Sequence, residues 1–230
     1  MNVDKTKIML IDKNNNEEVF EITLEEETVE VVKEFKYLGA LITNNYDDTK
    51  EIRRRIAIAK NATISLSKIW KDKSISKKTK IRLLRSIVFP IATYGSECWA
   101  MKKSDRARIQ SFELWAYRRL LRISWTEKRS HKSVLDEIGE NKGLVNEIEQ
   151  QKLQFMGHIM RHRCIENDLL TGMVFGKRSR GRQKTRMTNT IKEKLGLTMT
   201  DAITTAHDRE KWRNIVYATT AVREAECSER

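Results

Sequence analysis

An adjacent aspartate pair, Asp47-Asp48, follows Tyr46, and paired aspartates are what polymerase-type sites use to hold two Mg²⁺ ions. The setting points elsewhere. The pair stands directly before a strong helical pattern, where carboxylates cap the first turn and complement the helix dipole. His158, His162 and Cys164 form a second cluster with zinc-ligand chemistry. Two histidines at i, i+4 share a helix face, but a cysteine two residues further on does not complete it. A fourth ligand would have to come from Cys98, His131 or Cys227, and structural zinc sites carry paired C-x₂₋₄-C spacing that is missing here. A partly buried helix face with satisfied histidines is the expectation. No phosphate-binding G-x-x-x-x-G-K-[ST] or G-x-G-x-x-G string occurs, and no Ser/His/Asp or Cys/His set stands at a readable spacing. We therefore assign no catalytic residue, no metal ligand and no cofactor from motifs.

The remaining chemistry is basic. The 230 residues hold 45 Lys+Arg against 32 Asp+Glu, a formal +13. The charge is uneven. Residues 12–34 carry nine acidic residues and two lysines, net −7. Residues 50–132 carry 23 basic and six acidic residues, net +17, and residues 177–194 carry eight and one, net +7. One charge run usually marks a solvated helix face, but two basic blocks with interleaved aromatics favour a phosphate-rich partner. Gly176-Lys177-Arg178-Ser179-Arg180-Gly181-Arg182 reads either as a phosphate-contacting arm or as a localisation-signal-like or disordered loop. The longest apolar run, residues 87–92, is too short to cross a bilayer. The first ten residues lack a signal-peptide stretch, and three scattered cysteines suit a reducing compartment. We expect an intracellular protein, nuclear or cytoplasmic, neither secreted nor membrane-bound.

The elements that must position these groups follow from periodicity. Residues 7–11 and 18–24, separated by Asn14-Asn15-Asn16, predict a hairpin, and residues 28–32 and 35–43 predict further short strands. Asp47 or Asp48 then caps a long helix to about Lys71, striped by Ile52, Ile56, Ala59, Thr63, Leu66 and Trp70. Ser76 opens a second helix with Ile81, Leu84, Ile87, Val88 and Ile91 inward, which Pro90 kinks or ends. Ser104 caps a third, striped by Ile109, Phe112, Ala116, Leu120 and Ile123. Helices follow at 131–138 and 143–163, a loop at 175–188, and short helices to the end. The fold class expected is α+β, mainly α: a small N-terminal antiparallel β element and then a helical bundle.

Several strings in order carry a family resemblance: NVDKTKIM (2–9), FKYLGALIT (35–43), EIRRRIAIAKNA (51–62), KTKIRLL (78–84), YGSECW (94–99), FELWAYRRLLRISW (112–125), MGHIMRH (156–162), GKRSRGR (176–182) and DREKWRNIV (208–216). The chain resembles the C-terminal portion of a reverse transcriptase from a non-long-terminal-repeat retrotransposon. That resemblance implies a residual palm over 1–45, a helical thumb over 46–128 and a C-terminal extension over 129–230. It places Lys5 near an incoming nucleotide, and Phe35, Lys36, Tyr37, Leu38 and Gly39 in the hairpin that grips a primer end. The thumb would track the template–primer backbone, and Arg53, Arg54, Lys60, Lys80, Arg118, Arg119 and Arg122 are the basic residues expected there. Lys177, Arg178, Arg180 and Arg182 of the loop complete the expected nucleic-acid contacts.

The family's catalytic aspartates lie upstream of the string matching Asn2, Lys5 and Thr6, so this chain is expected not to polymerise alone. Mg²⁺ is expected only for an intact polymerase. After Gly181-Arg182 the family has proline where Gln183 stands, and its usual Arg-Trp and following aspartate are matched here by Arg186, Met187 and Asn189, so the resemblance implies a decayed or truncated copy of a mobile element as the source. The expected partners are RNA, DNA or their hybrid, with the missing polymerase portion or another protein as a further one. The alternative is a host-used helical interaction module that binds a protein, with incidental nucleic-acid affinity.

Overall fold

The computed structural model describes residues 6–11, 22–24, 27–45, 47–139, 142–171 and 191–220. Among them, short strands precede a body built of helices, the α+β, mainly α class expected from the pattern.

Strand β1 (Lys7–Ile8) pairs in parallel with β3 (Glu27–Val31), and β2 (Ile22–Leu24) pairs antiparallel with β3. The expected pairing of 7–11 with 18–24 is corrected: β3 sits between the two. Only two residues separate β2 from β3, so their closure costs far less chain entropy than a link across the asparagine run. Strands β4 (Glu34–Tyr37) and β5 (Ala40–Thr43) form a separate hairpin. Leu38 and Gly39 link them at φ 46° and 82°, the backbone signs of a two-residue type I′ turn that matches strand twist. Residues 35–43 are therefore two strands and a turn rather than one strand.

Helix α1 (Thr49–Ser65) starts after the aspartate pair, and the two carboxylates divide. Asp47 Oδ1 accepts from the Thr49 N–H at 3.1 Å, as a helix-start residue should. Asp48 Oδ2 instead accepts from the Ala100 N–H at 2.7 Å and ties a distant loop to the helix start. The expected run to Lys71 breaks at Leu66, and α2 (Ser67–Lys71) continues the stripe. The hydroxyls of Ser65 and Ser67 bond the carbonyls of Ala62 and Ile64 at that break, a local competitor of the helical ladder. Ile52, Ala59, Thr63 and Trp70 are buried, with Ile56 and Leu66 half-buried, so the stripe faces the core.

Ser76 caps α3 (Lys77–Leu83) by accepting from the Thr79 N–H at 3.1 Å. A π-helical turn over Leu84–Val88 then leads into α4 (Phe89–Ala92). Pro90 has no N–H for the carbonyl four residues back, and the wider turn absorbs that missing bond. The wider turn also changes the phase. Ile87, expected inward, is exposed, while Leu84, Val88 and Phe89 are buried.

Helix α5 (Lys103–Leu121) begins one residue before the expected Ser104 cap. Its start is fixed by the buried Asp105 carboxylate, which accepts from the Lys102 N–H at 3.2 Å. Helices α6 (His131–Ile138) and α7 (Leu144–Arg161) follow close to expectation. Then come α8 (Ile165–Thr171), a π-helical turn at Ile191–Leu195, α9 (Met199–His207) and α10 (Arg209–Thr220).

Two apolar clusters result. The first joins α1 to α6 and the first turns of α7, with Phe89, Phe112 and Tyr117 edge-to-face at its centre. It runs past residue 128 to Ile148. The second gathers Leu153, Met156 and Met160 of α7 with Ile191, Ala202, Ala206, Trp212 and Val216. Helix α7 lies in both.

Candidate nucleic-acid interface

The apolar stripes of α1 and α5 face the first core and leave their opposite faces to solvent. The α5 face reads Arg108, Ser111, Trp115, Arg118 or Arg119, and Arg122, at spacings of three and four residues. Two open grooves lie along it. One, of about 730 Å³, runs between α1 and α5 and is lined by Arg53, Ala57, Lys60, Arg108, Ser111 and Trp115 among others. The second, of about 620 Å³, continues toward α2 past Ser111, Trp115, Arg118, Arg119, Arg122 and Lys71. Among the described residues, no aspartate or glutamate lines either one.

The cations along these grooves fall into two states. Arg53, Lys60, Lys71 and Arg122 are exposed, and none has a carboxylate partner among the described residues. Arg108 pairs with Asp105 at 2.8 Å, Arg118 donates to the Arg129 carbonyl, and Arg119 reaches the Ser67 hydroxyl at 3.4 Å. Trp115 is the aromatic centre of the face: Lys60 Nζ and Arg119 Cζ each lie 5.6 Å from its ring. Such placements are favourable through the ring quadrupole. Trp115, Arg108 and Lys71 were missed in the sequence. The three- and four-residue stripe opposite Ile109, Phe112, Ala116 and Leu120 was the signal that would have found the first two.

Arg54 lies elsewhere. Its guanidinium bonds both oxygens of Glu51, at 2.7 and 2.9 Å, and the Gly39 carbonyl. Arg55 bonds Glu51 at 2.7 Å and the same carbonyl, and stacks 4.2 Å from the Tyr94 ring centre. Glu51 also accepts from the Leu41 N–H at 3.2 Å, and Tyr94 Oη donates to the Leu38 carbonyl at 2.9 Å. These bonds fasten the hairpin turn to α1. Burial works to raise the Glu51 carboxyl, but the two arginines hold it below its ordinary value.

Lys80 is the clearest departure from the expected phosphate contacts. It is buried, and its ammonium donates to the Trp70 and Asp72 carbonyls at 3.0 and 2.6 Å. Those are the orphan acceptors at the end of α2, so Lys80 serves as a capping cation. In the hairpin, Lys36 and Tyr37 are exposed, and Phe35, Tyr37 and Ile42 share an outward face. Gly39 takes the second turn position. Lys5, Lys177, Arg178, Arg180 and Arg182 lie outside the described residues, as does the whole loop at 175–188.

The other chemical candidates resolve simply. His158 and His162 are exposed, with ring centres 4.5 Å apart, rather than on a partly buried face. Among the described residues no group of three or more His, Cys, Asp or Glu is placed to hold a metal ion. Lys152 is buried and donates to the Trp99 carbonyl at 2.6 Å, and burial lowers its ammonium from the ordinary value. It holds the same loop that Asp48 anchors. No helix among the described residues is long and apolar enough to cross a membrane.

No protein-family model matches the chain, and no solved structure matches it. A protein of Caenorhabditis elegans named as transposon-derived is 29% identical over 199 residues, covering 80% of this chain and 70% of that one. The similarity fits a transposon-related origin for the chain.

Proposed function

We propose that the chain is the late palm with its primer-grip-like hairpin, the thumb and the C-terminal extension of a retrotransposon reverse transcriptase, and binds the backbone of RNA, DNA or their hybrid. The observation that carries this reading is the pair of grooves along α1, α2 and α5, which no carboxylate lines among the described residues, and where Arg53, Lys60, Lys71 and Arg122 have no acidic partner among those residues. Phosphates would replace the partners that the fold withholds from these side chains. The ordered motif resemblance supports the same reading, and the transposon-derived relative supports its transposon-related part. The fastened hairpin would present Lys36 and Tyr37 at a constant position beside the thumb helix.

Fluorescence anisotropy with a labelled duplex or hybrid, titrated over salt, tests it. Four phosphate contacts give a slope of log K against log salt of about −3.6. An affinity independent of salt, or no binding at about 50 mM salt, overturns the reading. Primer extension with Mg²⁺ on the isolated chain is expected to give no template-dependent product.

A second reading, a protein-interaction module, is favoured by the outward hairpin face, where Phe35, Tyr37 and Ile42 are exposed around Leu38 at 76%. Copurified partners that persist after nuclease treatment would favour it.

A further inference from the structure

We infer that the interface takes a single-stranded stretch of nucleic acid, with one unpaired base stacked on Trp115. The inference rests on the nucleic-acid reading above and narrows its ligand. Contacts to duplex phosphates need only flexible cations on a convex or open surface, because the bases are turned inward. Such contacts leave an indole face with no base to stack on. Here the half-buried Trp115 is the residue shared, with Ser111, by both grooves, so a strand passing from one to the other crosses its ring.

The surroundings suit a nucleotide rather than a purely apolar guest. Lys60 Nζ and Arg119 Cζ lie over the ring, each 5.6 Å from its centre, so a base stacking there takes their place and leaves both cations beside it for the phosphates that follow. Arg108 and Arg122, fourteen residues apart in the chain, continue the charge over about 21 Å of helix axis. Alternation of a stacking aromatic with a cationic track is the general design for single strands, and it tolerates any base. Both grooves, of about 620 and 730 Å³, are open along the helices, as a continuous strand requires.

The test compares an oligothymidylate of about twelve nucleotides with a duplex of equal length, both on the full chain. Trp115→Leu should weaken single-strand binding by about tenfold more than it weakens duplex binding, while Trp115→Phe, which keeps a ring, should retain most of the single-strand affinity. Equal losses for both ligands, or no loss for either, overturn the inference while leaving the backbone-binding reading intact. If the unsubstituted chain binds neither ligand, the wider reading falls and takes this one with it. Because Trp115 also packs near Phe112, with ring centres 6.3 Å apart, a measurement without substitution is needed too. A single strand carrying 2-aminopurine should lose fluorescence on binding the unsubstituted chain through stacking. Undiminished 2-aminopurine emission at saturation contradicts the inference.

Discussion

Gly157 on α7 lies directly under the indole of Trp212 on α10: a Cβ at position 157 would fall 2.2 Å from Trp212 Nε1. The same Nε1–H donates to the Leu153 carbonyl at 3.0 Å. The absence of a side chain at 157 is what lets the two helices approach and the indole reach its acceptor.

Gly157→Ala should therefore destabilise the chain by about 1–3 kcal/mol through overpacking against a rigid ring. Any gain in helix propensity, about 1 kcal/mol, is outweighed by displacement of Trp212. Urea unfolding followed by tryptophan fluorescence measures this, and an unchanged midpoint would show that α10 can move aside freely.

Glu51→Gln removes the anion that holds Arg54 and Arg55 in place, leaving two largely desolvated cations. The expected loss is about 3 kcal/mol. The hairpin, joined to α1 through the Gly39 carbonyl and the Leu41 N–H, should lose hydrogen-exchange protection at residues 34–43 before the helices do. Uniform loss across the chain would mean that the hairpin is held by something else.

Lys80→Met separates a capping role from a phosphate role. Two carbonyls at the end of α2 lose their donor, for about 1–3 kcal/mol of stability, while nucleic-acid affinity and its salt slope stay unchanged. Arg53→Gln, Lys60→Gln and Arg122→Gln should do the reverse, each lowering the salt slope by about 1 with little effect on thermal stability. A salt slope that falls with Lys80→Met would return that lysine to the interface.

Acid should weaken the fold at the start of α1. Burial alone would raise the Asp47 carboxyl, but hydrogen bonds from Lys102 and Thr49 lower it to about 2, and Glu51 is also held below its ordinary 4.5. A carboxyl with a lower pKa in the folded than in the unfolded chain stabilises fully above its ordinary value and loses that contribution as pH falls. The window is thus from about 4.5 down toward 2. Asp48 acts in the opposite sense, since burial raises it despite the Ala100 N–H. Urea midpoints from pH 7 to pH 2 should fall steeply in this window, and less steeply in Glu51→Gln.

Leu38→Asn should stabilise the hairpin. Leucine at φ 46° sits in a left-handed region that asparagine tolerates at lower cost. With the side chain 76% exposed, no packing offsets the strain. A gain of about 0.5–1 kcal/mol is expected from equilibrium unfolding, and a loss would show that the leucine has a partner.

Much of this architecture was legible because it depends on local periodicity. The α1 stripe from Ile52 to Trp70, the Ser76 cap and the limits of α6 and α7 all follow from patterns of three and four residues. What the pattern could not reveal depends on distant partners. Asp48 looks like a second helix cap until its acceptor role for Ala100, 52 residues away, is seen. Lys80 looks like any basic residue of a charged helix, and its burial comes from the preceding helix end folding back over it. Arg53, Arg54 and Arg55 are chemically alike and adjacent, yet one faces solvent and two grip a hairpin. The phase of α1 relative to the hairpin, not residue type, separates them. Trp115 carried a family string without being singled out, since its significance depends on α1 supplying Lys60 beside it.

Helix α7 has a mechanical consequence. Its first turns belong to one core and its last three turns to the other, with no break in the helix between Leu144 and Arg161. A rigid rod clamped at both ends transmits rotation. A side chain at Gly157 that displaces α10 would act on the same helix whose Leu144 and Ile148 sit in the first cluster with residues of α5. The two cores should melt in a single cooperative step, and a disturbance at the far C-terminal cluster should register in the alignment of the basic face.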